Sequence, residues 1–115
     1  MTVELKPNIT QAVAEQMLQC THQPVSFHGR IIMNLDFSER DLSRVFFAGI
    51  WIENTSFKMA NCNSTSFHSS FLENVDFSGA DLTRSIFKGS TLSGCNLKGI
   101  KAVLWKKIYL WIKNS

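Results

Sequence analysis

Residues 75–84 read Val-Asp-Phe-Ser-Gly-Ala-Asp-Leu-Thr-Arg, two five-residue units in tandem, each centred on one large apolar side chain, Phe77 and Leu82. Outward from this pair, in both directions, the spacing of five continues without a break. The centres are Phe27, Ile32, Phe37, Leu42, Phe47, Ile52, Phe57, Cys62, Phe67, Leu72, Phe77, Leu82, Phe87, Leu92 and Leu97. Fourteen of these fifteen positions are Phe, Leu or Ile, types that supply only 28 of the 115 residues, so composition alone does not produce the pattern. A helix repeats every ~3.6 residues and a flat strand every ~2, so a strict period of five marks a solenoid.

The remaining positions keep the same period. Two residues before each centre stand mostly small or apolar side chains, among them Val45, Ala60, Thr65, Ser70, Val75 and Ala80. All six glycines fall two residues after a centre, and Asn34, Asn54 and Asn74 share that slot. Gly and Asn tolerate positive φ best, so a left-handed corner is expected once per unit. One inward anchor and one corner per five residues give a coil with flat sides.

These units resemble the pentapeptide-repeat family, whose unit reads roughly Ala-(Asp/Asn)-Leu-x-x. The clearest matches are Ala80-Asp81-Leu82-Thr83-Arg84, Val75-Asp76-Phe77-Ser78-Gly79 and Cys95-Asn96-Leu97-Lys98-Gly99. The resemblance covers residues 25–99 and implies an all-β solenoid, a right-handed quadrilateral β-helix with four units per coil. Fifteen units then make nearly four coils, a column roughly 15–20 Å tall at a strand spacing of about 4.8 Å. Short N- and C-terminal capping helices complete the expected fold. The domain reading is a capping segment at 1–24 with a helix at about 9–20, the column at 25–99, and an amphipathic basic helix at 100–115.

Four units per coil stack residues twenty apart. Phe27, Phe47, Phe67 and Phe87 form one inward ladder; Phe37, Phe57, Phe77 and Leu97 form the ladder opposite. Ile32, Ile52, Leu72 and Leu92, then Leu42, Cys62 and Leu82, fill the sides between them. Cys62 reads as a small buried hydrophobe. Cys20, Cys62 and Cys95 lack CxxC spacing and are expected to be free thiols in a reducing, cytoplasmic setting. Met1 to Thr21 is polar and helical in pattern, so no signal peptide is expected.

Both ends leave the period. At the first, Asn8 suits a helix N-cap with Gln11 three residues on, and Ile9, Ala12, Val13, Met17 and Cys20 share one face. Arg30 and Arg40 occupy normally small inward slots and are expected to reach out of the open end. At the second, Leu104, Trp105, Ile108, Trp111 and Ile112 share a helical face, while Lys106, Lys107 and Lys113 point elsewhere. The segment is shorter than the ~20 residues a spanning helix needs. It reads as a cap on the last coil, a dimerising helix or a membrane-surface helix.

Catalysis is not expected. His22, His28 and His68 are scattered, and no nucleophile elbow, phosphate loop or metal-ligand spacing is present. No cofactor, metal or small-molecule substrate is therefore assigned. The outer surface gives the functional clue. On two adjacent sides the slot before each centre is polar: Asp36, Ser56, Asp76 and Asn96, then Asp41, Asn61 and Asp81. On the other two it is often large and apolar: Phe46 and Ile86 on one, Ile31, Trp51 and Phe71 on the next, with Met33 beside them. Ile31, Phe46, Trp51 and Phe71 are the expected contact residues, covered either by a terminal helix of the same chain or by a protein partner or a second copy.

The resemblance also implies a competing role, because its best-known members, the quinolone-resistance proteins, protect type II topoisomerases as mimics of duplex DNA. This chain departs from them. Residues 25–99 hold seven acidic and seven basic residues, and the whole chain carries a net charge of +3. A neutral column with a basic tail is a poor mimic of a polyanion, and a few lysines on an apolar helix are weak evidence for nucleic-acid binding. A non-enzymatic protein-interaction module, bacterial by its resemblance, is the reading the sequence favours; topoisomerase protection and a secreted effector are the alternatives.

Overall fold

The structure is a computed structural model that describes residues 8–19 and 24–102. The helix expected at 100–115 lies almost wholly outside those residues, and with it Leu104, Trp105, Lys106, Lys107, Ile108, Trp111 and Ile112.

Four parallel three-residue strands stack in chain order on one side: β1 (Ile31–Met33), β2 (Trp51–Glu53), β3 (Phe71–Glu73) and β4 (Thr91–Ser93). Each residue pairs with the one twenty further on, Ile31 with Trp51, Trp51 with Phe71, Phe71 with Thr91. The other three sides keep the same register through single bridges, for example Phe46 with Ser66, Asp76 with Asn96 and Asn61 with Asp81. We number the sides in winding order by their inward centres: the first holds Phe27, Phe47, Phe67 and Phe87, the second Ile32 to Leu92 (the strands), the third Phe37 to Leu97, the fourth Leu42, Cys62 and Leu82. Bridge pairing continues to Lys101 opposite Asp81, two residues past the boundary expected at 99.

The corners explain the period. In every unit the residue two after the centre has a positive φ, including Glu39, Arg44, Met59, Ser64, Ser69 and Arg84 as well as the Gly and Asn residues expected there. Left-handed backbone costs a non-glycine residue about 1–2 kcal/mol. Here it is held by the stack: Met59 N donates to Ser78 O and Ser64 N to Thr83 O, one coil further on, at 2.9 and 3.0 Å. At Gly79 a side chain would also displace a neighbour. A Cβ there would run into the Met59 sulfur of the preceding coil.

Inside, the two phenylalanine ladders interlock. Phe27, Phe47, Phe67 and Phe87 stack nearly parallel at 5.0–5.2 Å, with interplanar angles of 5–13°. Phe37, Phe57 and Phe77 stack likewise at 5.1–5.3 Å. Across the column the ladders meet edge to face, Phe47 on Phe57 and Phe67 on Phe77 both at 5.4 Å. Both ring geometries suit the aromatic quadrupole, and the seven rings lie within the buried core. Polar residues in the small inward slots tie coils together: Thr65 Oγ1 donates to Leu42 O at 2.7 Å, Ser70 Oγ to Phe47 O at 2.6 Å, Ser85 Oγ to Cys62 O at 2.7 Å.

At the first end the cap is shorter and rotated relative to expectation. Helix α1 spans Gln11–Leu18 and its N-cap is Thr10, whose Oγ1 accepts from Val13 N at 3.2 Å. Asn8 is not the cap. It bridges to Ile31, and Ile9 N donates to Ile31 O, so this segment adds a rung to the sheet before the helix begins. The buried face carries Ala14 with Met17 and Leu18 against the core, while Ala12 and Val13 face outward. Two contacts set that rotation. Gln11 pairs with the backbone of Asp36 in both directions at 2.8 Å, and Glu15 forms an ion pair with Arg40. Arg40 thus reaches out of the end as expected, to a helix carboxylate rather than a helix carbonyl.

Candidate interaction face

The slot before each centre points outward on all four sides, and the sides use it differently. On the third and fourth sides it works for the backbone. Asp36, Asp41, Asp76 and Asp81 each accept a hydrogen bond from the backbone N–H two residues on, at 2.8–3.0 Å. Asn61 and Asn96 do the same at 3.0 Å, and Ser56 at 3.2 Å. These are Asx and Ser turns that pin the chain as it approaches the corner. The following Ser or Thr holds each carboxyl below its ordinary 3.8 through its side-chain hydroxyl and its backbone N–H. The four aspartates are therefore structural carboxylates.

On the first and second sides the slot is often apolar, although Ser26 still accepts from His28 N at 3.2 Å and Ser66 and Thr91 are polar. Trp51 and Phe71 lie one above the other on β2 and β3, ring centroids 5.0 Å apart, with 48% and 36% of their surfaces exposed. Around the corner, Phe46 is 45% and Ile86 50% exposed, and Ser66 between them is buried. Phe46 and Ile86 stand one coil to either side of the serine, so the first side also presents two exposed apolar side chains. Ile31 is only half-exposed, since the Asn8–Ile9 rung lies along its strand. Met33 accepts a hydrogen bond from Asn8 at its sulfur, at 3.4 Å.

The structure thus brings Phe46, Trp51 and Phe71 together on two adjoining sides, with Ile31 at the covered end. Ile86 belongs to the same face. The sequence showed its slot, and its position forty residues, two coils, after Phe46 was the signal for it. Met59 is 58% exposed but stands on the corner between the third and fourth sides, away from this face. Glu53 and Glu73 follow the second-side centres and border the aromatic pair, both half-buried.

The other reactive groups serve the fold. Burial, with Asp81 nearby, pushes the Cys62 thiol up to about 12, so it stays protonated at neutral pH. His28 is bonded to Ala48 O at 2.8 Å, and His68 to the Ser69 hydroxyl at 3.1 Å. Among the described residues no cluster of three or more His, Cys, Asp or Glu side chains could hold a metal, and no helix is long and apolar enough to cross a membrane.

Stacked five-residue units with one inward anchor and one left-handed corner define a quadrilateral β-solenoid. The family model for pentapeptide repeats matches eight copies at residues 60–99. Residues 60–99 are pentapeptide repeats by that match, and the described column keeps the same four-sided register from Phe27 to Lys101. Among solved structures, a pentapeptide repeat protein from the Arabidopsis thaliana thylakoid lumen is 29% identical, with a TM-score of 0.40 over 59% of this chain and 50% of that one. A pentapeptide repeat protein from the cyanobacterium Cyanothece 51142 is 21% identical, with a TM-score of 0.31 over 73% of this chain and 64% of that one. QnrB1, a plasmid-mediated fluoroquinolone resistance protein, is 11% identical, with a TM-score of 0.33 over 80% and 83%. No curated protein sequence matches the chain.

Proposed function

We propose that this protein is a non-enzymatic interaction module, with a protein partner held on the apolar face formed by Phe46, Trp51, Phe71 and Ile86. The observation that carries the reading is the Trp51–Phe71 pair, two large rings in contact and both open to solvent on a rigid sheet. Aromatic anchors on a preorganised surface are what binding hot spots are made of, because little side-chain entropy is left to lose on docking. The neighbouring half-buried Glu53 and Glu73 give that surface an acidic border, which favours a partner with basic residues flanking its apolar contacts.

The test is a pair of substitutions, Trp51→Ser and Phe71→Asp, in the full chain, with circular dichroism as folding control. Loss of partner recovery from native lysate, at unchanged fold, is the expected result. Undiminished recovery by the folded variant would move the contact surface elsewhere on the column.

A further inference from the structure

We infer that the group this face takes from its partner is an arginine side chain, its guanidinium laid over the Trp51–Phe71 pair and held at its edge by the carboxylates of Glu53 and Glu73. The inference rests on the reading of the face as an interaction surface and names the chemistry that occupies it. Three observations carry it.

The first is the array itself. β2 and β3 run parallel in register, so Trp51 stands beside Phe71 and Glu53 beside Glu73. Residues two apart on a strand share a face, so all four side chains leave the column on the outer face of the second side. Adjacent strands lie about 4.8 Å apart and residues two apart on one strand about 6.6 Å apart. The array is therefore a small rectangle with two rings along one edge and two carboxylates along the other. Ile52 and Leu72 beneath it are fully buried, which fixes the strands that carry it.

The second is uncompensated charge. Glu53 and Glu73 lie directly opposite each other across the strand pair, where like charges repel. The rungs to either side carry Met33 and Ser93, neither of them charged. Among the described residues neither glutamate takes part in an ion pair. The whole chain carries +3, so these two carboxylates are a local excess of the opposite sign. One cation from outside relieves both.

The third is the fit of the rings to the ion. Trp51 and Phe71 both open to solvent, with ring centroids 5.0 Å apart and planes inclined at 54°. A cation within about 6 Å of a ring centroid is attracted by the ring face. A guanidinium is flat and weakly hydrated and carries N–H donors along its edge, so it stacks on a ring and pairs with a carboxylate at once. An ammonium is compact and strongly hydrated and lacks the plane. Arginine thus uses the whole array, and an uncharged side chain uses only the rings.

Titration of the full chain with the acetylated, amidated peptide Gly-Leu-Arg-Leu-Gly tests this, followed by NMR at the Trp51 indole N–H, which Trp51→Phe assigns. The same peptide with citrulline, the uncharged isostere of arginine, should bind at least ~5-fold more weakly, and the lysine peptide roughly 2-fold or more. Glu53→Gln with Glu73→Gln should bring the arginine peptide to within about 2-fold of the citrulline one, at an unchanged or raised melting temperature. Asp76→Asn with Asp81→Asn removes the same charge from the polar sides and should leave the affinity of the arginine peptide within about 2-fold. Equal binding of the arginine and citrulline peptides, an equal loss in the Asp76/Asp81 variant, or no peptide-dependent shift at Trp51 would each overturn the inference. So would Trp51 shifts that follow protein concentration without peptide, because a second copy would then hold the face. Partner recovery separates the two readings. A partner lost with Trp51→Ser/Phe71→Asp but kept by the Glu53→Gln/Glu73→Gln variant removes only the arginine. Arginine-selective peptide binding with a partner kept by both variants retains the arginine site and removes the partner from this face.

Discussion

The third and fourth sides of the column and the first and second sides are built on the same inward plan and diverge only outside. All four bury a centre every five residues and turn through a positive φ two residues later. On the third and fourth sides the outward slot is tied to the turn by Asp, Asn or Ser accepting a backbone N–H. The second side carries three-residue strands instead, and its slot holds Ile31, Trp51 and Phe71. The coil is therefore specified from within, and an outward slot released from turn chemistry is free to carry a contact surface. The period of five guarantees the scaffold and leaves the partner to individual side chains.

The sharpest way to break that comparison is to remove the same residue type from each position. Phe67 is fully buried and stacked between Phe47 and Phe87 at 5.2 and 5.0 Å. Phe67→Ala should destabilise by about 3–5 kcal/mol, since a closely packed ladder cannot collapse into the hole. Phe46→Ala, at 45% exposure on the same side, should cost less than about 1 kcal/mol. Thermal and denaturant unfolding of the two variants measure the gap. Equal losses would mean that the outward slot supports the column as much as the inward one.

Next in size is the turn chemistry of the polar sides. Asp81→Ala removes the acceptor for Thr83 N and should cost about 1 kcal/mol, whereas Asp81→Asn, the residue Asn61 already places there, should be nearly neutral. The same contacts give the polar sides a pH signature. Asp36, Asp41, Asp76 and Asp81 all titrate below 3.8 in the folded chain. Their contribution to stability is fully present above that value and is lost as the pH falls through the lowered folded values. Acid unfolding of the wild type against a fourfold Asp→Asn variant should show a flatter acid limb in the variant. A variant that keeps the wild-type slope would place the acid sensitivity in other groups.

How much of this was legible in the sequence follows from which forces act locally. The inward ladders and their register were readable, because a side chain's place in the core depends only on its index modulo five and twenty. The corner was readable as a slot, but its occupants were not all predictable. Glu39, Arg44 and Met59 have no intrinsic preference for positive φ and adopt it because the bonds between coils impose it. The first cap was misread for a related reason. Asn8 and Thr10 are both good N-cap residues, and the choice fell to Thr10 because Asn8 is engaged across 23 positions by Ile31, a pairing no local signal encodes. Val13 faces solvent because Gln11 and Glu15 are fixed by Asp36 and Arg40 of the first coil. On the candidate face the apolar slots were visible from spacing, while the turn role of the aspartates opposite them required the hydrogen bonds.

The smallest expected effect on stability is the one that bears most on function. The third side reads Asp36, Ser56, Asp76 in the slot where the second reads Ile31, Trp51, Phe71. Copying the first set onto the second, as Ile31→Asp, Trp51→Ser and Phe71→Asp, recodes one side in the pattern of its neighbour. Alternating the serine keeps the two new carboxylates two coils apart, roughly 10 Å, so like-charge repulsion stays weak. The inward anchors Ile32, Ile52 and Leu72 are untouched and fully buried. What is lost from the fold is one exposed ring pair, about 0.5–1 kcal/mol. Thermal unfolding should therefore shift by only a few degrees, while light-scattering mass or partner recovery should change outright. A large loss of stability would show that the stripe is packed against another part of the chain strongly enough to support the fold, and a folded variant with unchanged associations would leave the aromatic pair without a role on this face.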